Sequence, residues 1–110
     1  MNKQELVKQY FRAFETKDLE ELEKLFSDLV VLRDWEIEEY GKAAVLAANE
    51  KIFNTVGTIC VEILSMHSTE SSVVNEILIA IDDDVRLLVA DIIEFDDDNK
   101  ISAIRAYKGN

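Results

Sequence analysis

The sequence lacks proline entirely and holds three glycines, one cysteine and one histidine in 110 residues. A single cysteine, Cys60, excludes a disulfide within the chain, and we expect it to pack in the core of a cytoplasmic protein. The only histidine, His67, is expected on the surface at a strand end. No cluster has zinc spacing, and neither Asp-rich turn has the glycine and distal glutamate of a calcium loop, so no metal is expected.

Basic residues and long apolar runs are also scarce. Twelve Lys and Arg stand against 23 Asp and Glu, which gives a net charge of −11. Such a chain repels phosphate backbones and anionic lipids, so neither nucleic acid nor membrane is expected as a partner. No apolar run approaches the roughly 18 residues needed to span a bilayer. Without linkers, repeats or low-complexity segments, residues 1–110 are predicted to form one domain.

The first half of the chain predicts three helices. Residues 3–16 carry apolar side chains at helical spacing, and Asp18 is placed to cap a second helix, with Glu21 reaching back as in a capping box. The buried stripe of this second helix is expected to consist of Leu19, Leu22, Leu25 and Phe26. A short strand from Val30 to Trp35 is predicted next. A third helix, at about 42–54, is expected to follow Gly41.

The second half changes to a period of two. Strands are predicted near 57–67, 72–82, 85–95 and 100–108, separated by short polar turns. Connections this short require antiparallel neighbours, so these strands form a meander whose buried face the three helices can cover. The fold class is therefore α+β, with three N-terminal helices packed on a curved antiparallel sheet.

Three polar residues lie where apolar ones belong. Asp91 shares one face of its strand with residues that are all apolar, namely Val85, Leu87, Val89, Ile93 and Phe95. Burial disfavours ionisation, so a neutral, hydrogen-bond-donating carboxylic acid is possible there; the alternatives are a purely structural aspartate or a wet interface. Tyr10 lies in line with two apolar residues of its helix, and Asp34 keeps the parity of Val30 and Leu32. Two acids and a tyrosine facing one core indicate a functional site.

The opposite face of the sheet is also rich in apolar residues. Strand 85–95 places Leu88, Ala90 and Ile92 there, and strand 72–82 adds Val74, Leu78 and Ala80. A face turned to solvent is normally more polar. We therefore expect a homodimer assembled through this face of the sheet.

The two ends of the chain resemble the nuclear transport factor 2-like superfamily, especially its ketosteroid isomerase and SnoaL-like polyketide cyclase branches. The opening stretch is QYFRAFETKDLEELEKLFSDLVVLRDW, and the closing hairpin is VADIIEFDDDNKISAIRAYKG. The resemblance spans essentially the whole chain. It implies a cone-shaped fold with an internal pocket, no cofactor, and frequent dimerisation through the sheet. The scaffold hosts unrelated activities, so the fold follows more directly than the function.

The resemblance also implies roles for individual residues. Tyr10 matches the oxyanion-binding tyrosine of the isomerase, Asp34 its proton-shuttling base, and Asp91 its protonated oxyanion-binding aspartate. Substrate contacts are expected from Trp35, Phe14 and Ile93. Trp35 replaces a proline of the isomerase and could narrow the pocket. The segment from Asp34 to the third helix is shorter than in the isomerase, so a steroid substrate is not implied.

These features lead to one functional hypothesis and two alternatives. The first is a cofactor-independent isomerase, cyclase or dehydratase that moves a proton next to the carbonyl of a small apolar molecule. The second is a non-catalytic protein that binds a small ligand. The third is a dimeric adaptor with a vestigial pocket. The inward-facing acids favour the first two.

Overall fold

Three helices and six strands make up the protein, as seen in a computed structural model that describes all 110 residues. The helices are α1 (Lys3–Glu15), α2 (Leu19–Leu25) and α3 (Lys42–Thr55). The strands are β1 (Phe26–Arg33), β2 (Glu38–Tyr40), β3 (Ile59–Ser68), β4 (Ser72–Ile81), β5 (Val85–Phe95) and β6 (Ile101–Lys108). The predicted α+β class is confirmed. None of the three helices has the length and the apolar composition of a membrane-spanning helix.

Polar side chains start the first two helices. Asn2 accepts a hydrogen bond from the backbone N–H of Glu5 at 2.8 Å, and Asp18 accepts one from that of Glu21 at 3.1 Å. Each bond satisfies an N–H group that the helix itself leaves unpaired. The predicted cap at Asp18 is confirmed. The reciprocal bond to Glu21 is not formed, because the N–H of Asp18 donates to the carbonyl of Ala13 at 2.9 Å.

The strands form one curved sheet in the order β2-β1-β6-β5-β4-β3. Strands β3 to β6 form the predicted antiparallel meander. However, β1 lies parallel to β6, so the prediction of a purely antiparallel sheet is wrong for this pair. Only short turns force antiparallel neighbours. The chain between β1 and β6 passes through a helix and four other strands, which leaves the direction of the pair free.

Strand β1 differs from its predicted bounds at both ends. It begins at Phe26, which the helical pattern places in the stripe of α2, and it ends at Arg33, before Asp34. Phe26 is buried in either arrangement, so its hydrophobicity could not distinguish helix from strand. The pairing of β1 with β6 is irregular between Phe26 and Val31, and the exposed residues in this stretch break the period of two.

One cluster of 19 buried apolar residues lies between the helices and the inner face of the sheet. Alternation along β5 buries Val89, Asp91, Ile93 and Phe95, as predicted, whereas Val85, at the start of the same predicted face, is 40% exposed. His67 is exposed, also as predicted. The expectation for Cys60 is wrong: this residue is exposed, because it pairs with Ala80 on the outer face of the sheet.

Candidate functional site

A cavity of about 340 Å³ lies between α1, α3 and the inner face of the sheet. Hydrophobic residues account for 16 of the 21 that line it. The others are Asp34, Glu36, Asn49, Asp91 and Lys108. This volume is typical of sites for small organic molecules, as is an apolar wall with a few polar groups.

Tyr10 reaches the cavity from α1. Its ring packs against three phenylalanines, with centroids 5.4 Å from Phe11, 6.1 Å from Phe26 and 6.5 Å from Phe14. Burial, followed by the charges of Asp91 and Asp34, raises the pKa of Tyr10 well above its usual value. The phenol therefore keeps its proton, and its hydroxyl is a fixed hydrogen-bond donor on the cavity wall.

Asp91 reaches the same cavity from the inner face of β5. It is only 5% exposed, and its Oδ1 has no hydrogen-bond partner. Burial, followed by the negative charge of Asp34, raises the pKa of Asp91 to about 7. Both causes penalise the carboxylate and favour the neutral acid. A substantial share of the molecules therefore presents a carboxylic O–H at neutral pH.

Asp34 lines the cavity from a turn rather than from a strand. Its Oδ1 accepts hydrogen bonds from the N–H groups of Glu36 and Ile37, both at 2.7 Å. Its own N–H donates to the carbonyl of Ile37 at 2.8 Å. One carboxylate oxygen is thus used to shape the connection between β1 and β2, which leaves Oδ2 available for a ligand.

The three predicted substrate contacts lie in different places. Phe14 lines the cavity and stacks edge-on against Phe53, with ring centroids 5.4 Å apart. Trp35 also lines it, is 39% exposed, and has the Lys108 ammonium 5.8 Å from its ring centroid. Ile93 is fully buried and does not line the cavity. It shares the face of Asp91, but lies one step further along β5, within the core.

Three further polar residues line the cavity, and the sequence patterns did not single them out: Glu36, Asn49 and Lys108. Asn49 is 2% exposed on the inner side of α3, and its Nδ2 donates to the carbonyl of Val45 at 2.9 Å. This bond leaves Oδ1 as an acceptor for the cavity. Lys108 follows Ile104 and Ala106 on the inner side of β6. The helical spacing of α3 would have found Asn49, and the alternation along β6 would have found Lys108, since each is polar on a stripe of apolar residues. Glu36 lies in the exposed connection after β1, which has no such stripe.

Metal-binding side chains are not gathered anywhere in the molecule: no group of three or more His, Cys, Asp or Glu is placed to hold an ion. The apolar wall of the cavity instead holds the carboxylate of Asp34, the O–H donors of Tyr10 and neutral Asp91, and the amide oxygen of Asn49, with Glu36 and Lys108 also on the lining. A carboxylate beside two neutral donors can remove a proton from a bound molecule while the donors hold the charge that develops elsewhere on it.

Comparison with known families agrees with this fold. The SnoaL-like domain matches residues 7–104. The chain belongs to this family. The resemblance seen in the sequence is thereby confirmed, and SnoaL-like proteins with nuclear transport factor 2-like folds are its structural relatives. No match was found among curated proteins.

Solved structures show the same fold in proteins of diverse activity. A candidate ketosteroid isomerase from Kribbella flavida aligns with a TM-score of 0.85 at 17% identity, covering 98% of this chain and 78% of that one. An LEH-like epoxide hydrolase from M. tuberculosis aligns with a TM-score of 0.83 at 19% identity, covering 96% of this chain and 80% of that one. A candidate SnoaL-like polyketide cyclase from Shewanella denitrificans aligns with a TM-score of 0.83 at 16% identity, covering 97% of this chain and 90% of that one. At these identities the likeness establishes the fold, and the SnoaL-like scaffold carries several chemistries.

Proposed function

We propose that this SnoaL-like protein moves a proton at a carbon next to the carbonyl group of a small, mainly apolar molecule, without a cofactor. The observation that carries the proposal is that Tyr10, Asp34 and Asp91 line one apolar cavity. A base and two oxyanion donors are the minimum equipment for enolisation. Relatives described as isomerases and cyclases support this reaction class.

The reaction begins when Asp34 takes a proton from the carbon beside the carbonyl. The electron pair of the broken C–H bond moves onto the carbonyl oxygen, which becomes an enolate. The Tyr10 hydroxyl and the neutral Asp91 carboxyl donate hydrogen bonds to that oxygen. Asp34 then returns the proton, either to the same carbon or to another carbon of the conjugated system. The apolar wall strengthens both hydrogen bonds by excluding water.

Asn49 adds a constraint on the molecule that would bind. Its Oδ1 has no donor within the chain, so a ligand with a hydroxyl or N–H group would satisfy it. Molecules that bring only carbonyl acceptors would shield this oxygen from water without giving it a donor, which costs affinity. A carbonyl compound with a separate hydroxyl group therefore fits the polar groups best.

Proton exchange tests this proposal with a panel of ketones in place of a single chosen substrate. Small cyclic and hydroxylated ketones are incubated with the protein in D₂O, and the replacement of α-hydrogen by deuterium is followed by NMR. We expect exchange of at least one ketone to be accelerated by the wild type. Asp34→Asn should abolish the acceleration, because it removes the proton acceptor, whereas the matched variant Asp28→Asn on the surface should retain it. Exchange that is equally fast with Asp34→Asn would refute the role of Asp34.

Non-catalytic binding of a small ligand is the second candidate. It is favoured by the position of Trp35 at the cavity beside Lys108, and by the use of Asp34 Oδ1 in the turn. In that case ligands bind according to their fit to the apolar wall, and no ketone exchanges its protons. The same experiment separates the two functions.

A further inference from the structure

A buried asparagine lies directly opposite Asp91. Asn75 on β4 is paired with Asp91 on β5 in the register of the sheet, and it is only 1% exposed. Side chains of directly opposed residues lie on the same face, with Cβ atoms about 4.5–5.5 Å apart. Asp91 lines the cavity, whereas Asn75 does not.

The amide of Asn75 has a fixed orientation. Its Nδ2 donates to the carbonyl oxygen of Asp91 at 3.1 Å and to that of Val73 at 3.3 Å. Rotating the amide by half a turn would place Oδ1 against these two carbonyl oxygens, which repel it. The nitrogen therefore stays on the backbone, and Oδ1 is the negative end of a held dipole.

Two buried side-chain oxygens lack a hydrogen-bond partner in this protein, and they belong to these two residues: Oδ1 of Asn75 and Oδ1 of Asp91. Unpaired buried polar atoms are rare in folded proteins because they lose their water without replacement. Opposed side chains on one face are close enough for these two oxygens to meet. A single proton on Asp91 Oδ1 would then satisfy both, since a carboxylic O–H donates and an amide oxygen accepts. A carboxylate would instead face the negative end of the amide dipole.

We propose that Asn75 is a positioning residue that holds Asp91 in its protonated form, by accepting a hydrogen bond from the carboxyl group in the unliganded protein. Asn75 thus complements burial and the charge of Asp34, which raise the pKa of Asp91. When an oxyanion enters, the carboxyl group can turn about its Cβ–Cγ bond and donate the same proton to the ligand. The bond to an anion is the stronger of the two, so the ligand displaces Asn75.

Several other polar groups line the same cavity as Asp91 and must stay constant in any test. They are Tyr10 from α1, Asp34 and Glu36 from the connection after β1, Asn49 from α3 and Lys108 from β6. None of them is altered by a substitution at position 75. Only the role of this hydrogen bond in catalysis rests on the proposed function. Its existence can be tested without a ligand or an activity.

Carboxyl ¹³C NMR titration of Asp91 tests the proposal in three proteins: the wild type, Asn75→Leu and Val73→Ala. Leu has nearly the shape of Asn but cannot accept a hydrogen bond. We expect the pKa of Asp91 to be lower by about one unit in Asn75→Leu than in the wild type, the shift caused by losing one ordinary hydrogen bond to the neutral acid. Val73→Ala, a neighbouring buried position on β4, should lower stability while leaving the pKa of Asp91 unchanged.

A second measurement needs no variant and covers the case in which Asn75→Leu does not fold. The ¹³Cγ shift of the Asn75 carboxamide in the wild type should titrate with the same midpoint as Asp91. An unchanged or higher pKa of Asp91 in Asn75→Leu, or an Asn75 carboxamide that does not follow Asp91, would overturn the proposal. Failure of the ketone-exchange experiment would leave this result standing, so the two proposals fail separately.

Discussion

At the scale of single residues, Asp91 should dominate one part of the pH dependence of stability. Its folded pKa of about 7 lies above the ordinary value of 3.8. Between these two pH values the unfolded chain has lost the proton that folded Asp91 keeps. The contribution of Asp91 to the free energy of unfolding is therefore fully present below about pH 4 and is lost as the pH rises through 7. The loss amounts to at most about 4 kcal/mol, at about 1.4 kcal/mol per pKa unit.

Asp91→Asn isolates this contribution, because its amide can still donate a hydrogen bond but carries no titrating proton. We expect the variant to gain stability relative to the wild type as the pH rises from 4 to 7, and to be the more stable protein at pH 8. Urea unfolding of both proteins at each pH gives the difference, which cancels the titration of the other acids. A difference that stays constant across this range would show that Asp91 ionises like an exposed aspartate.

Residue patterns predicted part of the site, and the same patterns explain what was missed. Asp91 stands out because its neighbours on the face are all apolar. Asn75 also has apolar neighbours on its face of β4, but a neutral amide at such a position is a weaker sign of a functional site than a charged side chain. Its importance comes from standing opposite Asp91, and that register is fixed by the hairpin rather than by either strand alone.

At the scale of elements, Asp34 in the turn after β1 has both a structural role and a proposed chemical role. Asp34 Oδ1 accepts two backbone hydrogen bonds that set the path of residues lining the cavity. The sequence predicted an inward-facing Asp34 by extending a strand. The side chain does reach the cavity, but through an aspartate-capped turn, which alternation of apolar residues does not reveal.

Two substitutions separate the structural role of Asp34 from its chemical role. Asp34→Ala removes the acceptor of both N–H groups and should cost about 1–2 kcal/mol of unfolding free energy. Asp34→Asn keeps an oxygen for these bonds, so its stability should remain within about 0.5 kcal/mol of the wild type. Urea denaturation at one pH measures both. Equal losses in the two variants would mean that the turn does not depend on the side-chain oxygen.

Elements with strong patterns were predicted well, and those with weak patterns were not. α1 and α3 bury residues at helical spacing, and β3, β4 and β5 alternate over part of their length. β6 buries Ile101 and Ile104, which are three residues apart, and its predicted start came instead from the Asp-rich turn before it. β2 consists of three exposed residues and has no apolar period to detect. The parallel pairing of β1 with β6 joins segments far apart in the chain, and no local sequence feature encodes it.

At the scale of the whole molecule, the homodimer stays a prediction that rests on exposed apolar side chains of the outer sheet face. Val74 and Leu88 are each 36% exposed there, and Tyr107 is 49% exposed. We expect sedimentation at micromolar concentration to give twice the monomer mass, and Leu88→Glu to give a monomer by placing a charge in the interface. Leu29→Glu, at an exposed apolar residue of β1, is the matched control and should stay dimeric. A monomeric wild type would rule out this assembly.

The most direct measurement is the affinity of phenols of graded acidity for the Asp34→Asn protein. Its neutral amide imitates the base after it has taken a proton, and a phenolate imitates the enolate. We expect acidic phenols to bind as phenolates, and the additional change Tyr10→Phe to weaken binding by roughly 10- to 100-fold, the value of a hydrogen bond to a charged group. Tyr40→Phe, at an exposed tyrosine, should have no effect. If no phenolate binds, or if its affinity ignores Tyr10→Phe, the cavity is not an oxyanion site.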